Sequence, residues 1–124
     1  MTLEEAVRRQ WTVMFSPKFL ETQQGFLDML TQRALLYPAP PHTSLRHLMA
    51  VQRFNTYGRL GMITTPTLVI TGTDDVIVPP ANSILLAARI HGAYLETLTN
   101  RGHGFFWEAP GDVVTLLHTF CHAI

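Results

Sequence analysis

The run Pro66-Thr67-Leu68-Val69-Ile70-Thr71-Gly72 constrains this chain more than any other stretch. It is apolar without alternation, opened by proline and closed by glycine. A strand with one wet face alternates, so this run predicts a strand buried on both faces, as in a parallel sheet. A parallel partner needs a crossover, and the following residues provide for one. Pro79-Pro80 opens a helix to about Ile90, with Ile84, Leu85, Ala87 and Ala88 expected inward, and His91-Gly92 ends it. Ala93 to Leu98 is a second strand. Pro110 opens a last helix through Phe120, with Val113, Val114, Leu116, Leu117 and Phe120 as its apolar stripe. Strand–helix–strand of this length forms a right-handed parallel crossover.

Upstream of Pro66 the pattern is helical. Leu3 to Phe15 reads as a helix capped by Thr2, with Glu5 placed to complete a capping box. Ser16-Pro17 starts a second, running to about Leu36, with Gly25 a weak point in its middle. Tyr37-Pro38-Ala39-Pro40-Pro41 interrupts. A third helix is expected from about Ser44 to Tyr57, closed by Gly58 and Gly61. The division expected is a helical segment over residues 1–60 and a strand–helix–strand–helix unit over 61–124. Phe15, Phe19, Phe26, Met29 and Met49 suit either the underside of a helical layer or ordinary helix packing, and Arg8-Arg9 reads as a solvated face.

Composition removes several function classes. With 47% hydrophobic and 15% charged residues, the chain has material for a core and is not a disordered segment. Nine basic residues balance nine acidic ones, with no basic run, so no nucleic-acid partner is expected. No stretch reaches the roughly 18 apolar residues of a membrane span. The polar start Met1-Thr2-Leu3-Glu4-Glu5 does not resemble a secretory signal, and a cytoplasmic location is the expectation. The single cysteine, Cys121, excludes an internal disulfide and a cysteine-rich metal site, and reads as a small core residue. His118 and His122, four apart on one helix, want a third ligand and read as surface residues. No metal or organic cofactor is expected.

Functional groups in parallel α/β sheets gather at the carboxyl ends of strands. Two loops leave that edge here: Gly72-Thr73-Asp74-Asp75-Val76-Ile77-Val78-Pro79, and Asn100-Arg101-Gly102-His103-Gly104. If their strands are neighbours, an aspartate and a histidine can meet. A carboxylate beside an imidazole fixes its tautomer and stabilises the imidazolium that forms when it takes a proton. The glycines flanking His103 are expected to let the backbone turn sharply. Asp74 is the rival acid, read as a turn residue. Glu108, five residues beyond His103, is another, read as a charge near a helix N-terminus. Phe105, Phe106 and Trp107 suit a substrate pocket or packing against the helical layer.

The strand, the Gly72-Thr73-Asp74-Asp75-Val76-Ile77-Val78-Pro79 turn, Gly102-His103-Gly104 and Glu108-Ala109-Pro110 together resemble the C-terminal part of an α/β-hydrolase. The resemblance covers Pro66 onward. It implies an incomplete α/β-hydrolase-like fold, residues 1–60 as the helical cap, Asp75 as catalytic acid and His103 as catalytic base. It implies a small-molecule substrate, an ester, lactone or similar acyl compound. Relatives with an aspartate nucleophile share a similar His and acid, which leaves dehalogenation and epoxide opening open.

One part of the family pattern is missing. No G-x-S-x-G elbow occurs; Ser16, Ser44 and Ser83 lie at helix starts or in helices. The chain is therefore expected to supply an acid and a base to a nucleophile carried elsewhere. The alternative is an inactive, degenerate piece used for association. In either case one edge of the strand over 67–71 would lack its neighbour. Unpaired N–H and C=O groups predict self-association or pairing with a complementing N-terminal chain.

Overall fold

The computed structural model describes residues 1–124. Helix α1 spans Leu3–Met14. Its capping box closes as the sequence predicts: the Thr2 hydroxyl accepts from the Glu5 N–H at 3.2 Å, and the Glu5 carboxylate accepts from the Thr2 N–H at 2.6 Å. Ser16 caps the next helix, α2, Pro17–Thr22.

The single helix expected to Leu36 is two. The chain leaves helical geometry at Gln23, and α3 follows over Gln24–Leu36. The break falls two residues before Gly25, which then sits in the first turn of α3. Packing explains the break. In one straight helix Phe19 and Phe26 would stand about 10.5 Å apart along the axis. The bend brings their rings to 5.8 Å, edge on.

Helix α4 runs Pro41–Arg53, earlier than the expected Ser44–Tyr57. Proline costs nothing at a helix start, where its missing N–H would have no partner. Downstream, the Asn55 side chain accepts the Tyr57 N–H at 3.0 Å, a local bond that competes with helix continuation. A short 3-10 helix, Tyr57–Met62, leads into the sheet.

Strands β1 (Leu68–Gly72) and β2 (Tyr94–Leu98) pair in parallel, Leu68 opposite Tyr94 and Gly72 opposite Leu98. Helix α5, Pro80–Arg89, crosses between them. Two readings of facing need correction. On α5 the buried positions are Ser83 and, just past its end, Ile90, while Ile84 and Leu85 face outward, 57% and 43% exposed. On α7, Pro110–Ala123, Val113, Leu116 and Phe120 lean inward, and Val114 and Leu117 do not. In each case the inward set follows a narrow three-to-four spacing, and the other apolar residues lie off that stripe. On β1, Val69 and Thr71 share a covered face; Leu68 and Ile70, on the other, are partly open. The two-sided burial expected for this strand is thus met on one side.

The helical segment is held to the rest by aromatic rings. Phe15, 3% exposed, lies 4.9 Å from the Phe19 ring, 6.1 Å from Trp11 and 5.9 Å from Trp107. Trp107 belongs to α6, Phe105–Glu108, a one-turn helix not foreseen from the sequence. Trp107 also meets Phe26, so of the three aromatics on α6 it is Trp107 whose ring packs against those of the helical layer. The Trp11 indole N–H donates to the buried Thr31 hydroxyl at 2.9 Å, tying α1 to α3. Arg8 is not simply solvated: it pairs with Asp28 on α3 and with Glu4, each at 2.9 Å. Its guanidinium pKa is held above the ordinary value, first by the hydrogen bond to Asp28 and then by that to Glu4. No helix is long and apolar enough to cross a membrane.

Candidate active site

The register of the two strands places the site. Gly72 and Leu98 end β1 and β2 side by side, so both following loops leave one edge. They then lace together. The Thr73 N–H donates to the Leu98 carbonyl at 3.0 Å, and the Asp74 N–H to the Arg101 carbonyl at 2.9 Å. The Asn100 N–H donates to the Thr73 hydroxyl at 2.8 Å. A Cβ on Gly72 would overlap the Arg101 carbonyl, so only glycine permits this approach.

The strained residue of the second loop is Asn100, with φ +56°, a conformation asparagine tolerates. The backbone turns at His103–Gly104 as expected, and Gly102 and Gly104 take part without positive φ. They also permit close approach. A side chain on Gly102 would meet the backbone of Met14, Phe15 and Ser16, and one on Gly104 would meet the Phe15 ring. The Gly104 N–H donates to the Met14 carbonyl at 2.7 Å.

Within this frame Asp75 and His103 meet. Asp75 Oδ2 lies 2.9 Å from His103 Nδ1. The other carboxylate oxygen, Oδ1, accepts from the Ile77 N–H at 2.9 Å and the Val78 N–H at 2.8 Å. The turn before Pro79 thus fixes the carboxylate and leaves Oδ2 for the ring. The Asp75 side chain is 6% exposed and that of His103 35%, so the acid is sheltered and the imidazole reaches solvent. A carboxylate accepts, and an imidazole Nδ1–H can donate to it; in the neutral ring of that tautomer Nε2 carries the free lone pair.

The rival acids are placed elsewhere. Asp74 accepts from the Thr73 hydroxyl at 2.9 Å and acts in the turn. Glu108 is engaged by other donors: Oε1 accepts from the Ser16 N–H at 2.8 Å and the Gly102 N–H at 2.9 Å, and Oε2 from the Ser16 hydroxyl. Sequence reasoning missed both this bridge and the Thr73–Asn100 contact. Each joins residues far apart in the chain, and neither carries a local pattern. His118 and His122 stack at 4.1 Å, with His122 Nδ1 against the His118 carbonyl. No group of three or more His, Cys, Asp or Glu gathers with metal-ligand geometry.

No family model matches the chain. Curated relatives do. A RutD protein of Serratia proteamaculans, named for carbamate hydrolysis, is 31% identical over 101 residues, covering 82% of this chain and 38% of that protein. A 2-hydroxy-6-oxononadienedioate/2-hydroxy-6-oxononatrienedioate hydrolase of Cupriavidus pinatubonensis is 45% identical over 58 residues, covering 46% of this chain and 20% of its own length. Among solved structures, Est816, described as an N-acyl homoserine lactone degrading enzyme, superposes with a TM-score of 0.77 at 26% identity, over 94% of this chain and 47% of that one. The chain spans less than half the length of each. The chain matches the C-terminal part of such hydrolases, and its helical segment followed by a parallel strand–helix–strand–helix unit is accordingly a portion of an α/β-hydrolase fold.

Proposed function

We infer that Asp75 and His103 are the acid and base of a Ser-His-Asp triad acting on a small ester, lactone or related acyl substrate. The observation that carries this reading is the 2.9 Å contact between Asp75 Oδ2 and His103 Nδ1 at the carboxyl edge of the sheet. His103 Nε2 takes the proton of the attacking hydroxyl, and Asp75 stabilises the imidazolium that results. The same proton passes to the leaving group, and the cycle repeats with water. The hydroxyl and the oxyanion donors come from polypeptide outside these 124 residues. Residues 1–60 serve as the cap and 61–124 as the core half that carries the acid and base. The lactone and carbamate chemistry named for the relatives supports the choice of substrate class.

The test is a chimera in which this chain replaces the matched C-terminal segment of the Serratia relative. Turnover of p-nitrophenyl acetate is expected there. His103→Ala should abolish it, and Asp75→Asn should lower it by about 10⁴-fold, as loss of the acid does in serine proteases. The 124-residue chain alone should show none, since loss of the nucleophile costs about 10⁶-fold in such enzymes. Strong turnover by the chain alone, removed by His103→Ala, would refute a hydroxyl supplied from outside it, and chimera turnover unchanged by His103→Ala would refute the assignment of the base.

A second reading has one observation in its favour. The sheet has two strands, so each keeps an unpaired edge, and large apolar side chains such as Leu48, Val51 and Phe54 are exposed. Such edges template pairing with a complementing chain or a second copy. Sedimentation of the dilute chain as a stable monomer would argue against association.

A further inference from the structure

We propose that Glu108 is the positioning residue of His103, holding the loop of the base against the junction between α1 and α2. This rests on the assignment of His103 as base and adds to it a link between that base and the helical segment. The loop from Asn100 to Gly104 has few side chains with which to fix itself. Asn100 is left-handed, and two of the other four residues are glycines. What stops it from moving is outside it. Glu108 Oε1 accepts from the Gly102 N–H, next to His103, and from the Ser16 N–H, while Oε2 accepts the Ser16 hydroxyl. One carboxylate therefore takes three donors from two segments. Hydrogen bonds to an ionised acceptor are roughly twice as strong as neutral ones.

The surroundings make this a clamp and not a surface bond. Ser16 is 1% exposed, and both glycines lie against the backbone or ring of residues 14–16. The Gly104 N–H donates to Met14, so the residues on either side of His103 are both fixed to the same junction. His103 is thus held at its back by Glu108 and at its Nδ1 by Asp75. Displacement of the α1–α2 junction is transmitted to the imidazole.

The side chain at 108 discriminates a positioning role from simple packing. Glutamine keeps the length and an oxygen for the two backbone donors, and its NH₂ can face the Ser16 hydroxyl. Alanine removes all three bonds. The readout is the low-field proton resonance of a hydrogen-bonded imidazole Nδ1–H, recorded on the 124-residue chain, with Asp75→Asn as the control that identifies it. The signal is expected in the wild type and in Glu108→Gln. In Glu108→Ala it is expected to vanish by exchange at temperatures where circular dichroism shows the helices and strands intact. If Glu108→Ala does not fold, Glu108→Asp, one methylene short, takes its place with the same expectation. A sharp signal in the folded Ala or Asp variant would overturn the proposal and leave the Asp75–His103 pair standing. So would its loss in Gln. A wild-type spectrum without the signal, or one that Asp75→Asn does not change, would remove the pair itself and the proposal with it.

Discussion

Two helical stretches precede the sheet, and they have different fates. In α1–α3, Val7, Leu27 and Thr31 are buried, with Phe15 just beyond the end of α1. In α4 no residue is buried, and Leu45, Leu48 and Val51 remain 58%, 55% and 71% exposed. Both stretches carry apolar residues at helical spacing, so amphipathicity does not separate them. What separates them is a neighbour. The first stretch receives Trp107 and Glu108 from α6; α4 receives nothing comparable. An apolar stripe states that a face needs cover. It does not state where the cover comes from.

Four substitutions would break or sharpen that contrast. Phe15→Ala, at the centre of the ring cluster, should cost about 4 kcal/mol, read from urea unfolding followed by tryptophan fluorescence; a loss below about 1 kcal/mol would mean the cluster does not hold the first stretch. Gly72→Ala forces a methyl group into the Arg101 carbonyl and should cost about 2–3 kcal/mol in a thermal melt. Thr31→Val removes the acceptor of the Trp11 N–H inside the α1–α3 contact and should cost about 1–2 kcal/mol in the same urea assay. Leu48→Ala, on the bare face of α4, should change stability by less than about 0.5 kcal/mol. A larger loss there would show that α4 is covered in solution and would dissolve the contrast.

The parts legible in the sequence are those that rest on short-range chemistry. The β1 run, the capping box at Thr2 and Glu5, the start at Ser16-Pro17 and the meeting of Asp75 with His103 each follow from a local signal or from strand ends at a shared edge. The split at Gln23 was hidden because it serves the contact of Phe19 with Phe26, a tertiary gain with no breaker at that position. The glycines beside His103 suggested the turn that is present, but not the close approach of residues 14–16 that they also admit. The outward set of Ile84 and Leu85 was misplaced because an apolar helix with few polar residues does not declare which side faces the sheet. Glu108 lies in plain view, yet its partner Ser16 could not be guessed from spacing.

That partnership has a consequence for the order in which the molecule comes together. Ser16 and Glu108 are 92 positions apart, so their bond encloses most of the polypeptide. Closing so wide a loop adds little at equilibrium, since the entropic cost grows only with the logarithm of length. The rate is another matter, because distant contacts slow assembly. Helices and the crossover, with the contact of Asp75 and His103 at its edge, need only nearer partners; on the proposed role of Glu108, the imidazole gains its second hold when the two ends of that wide loop meet.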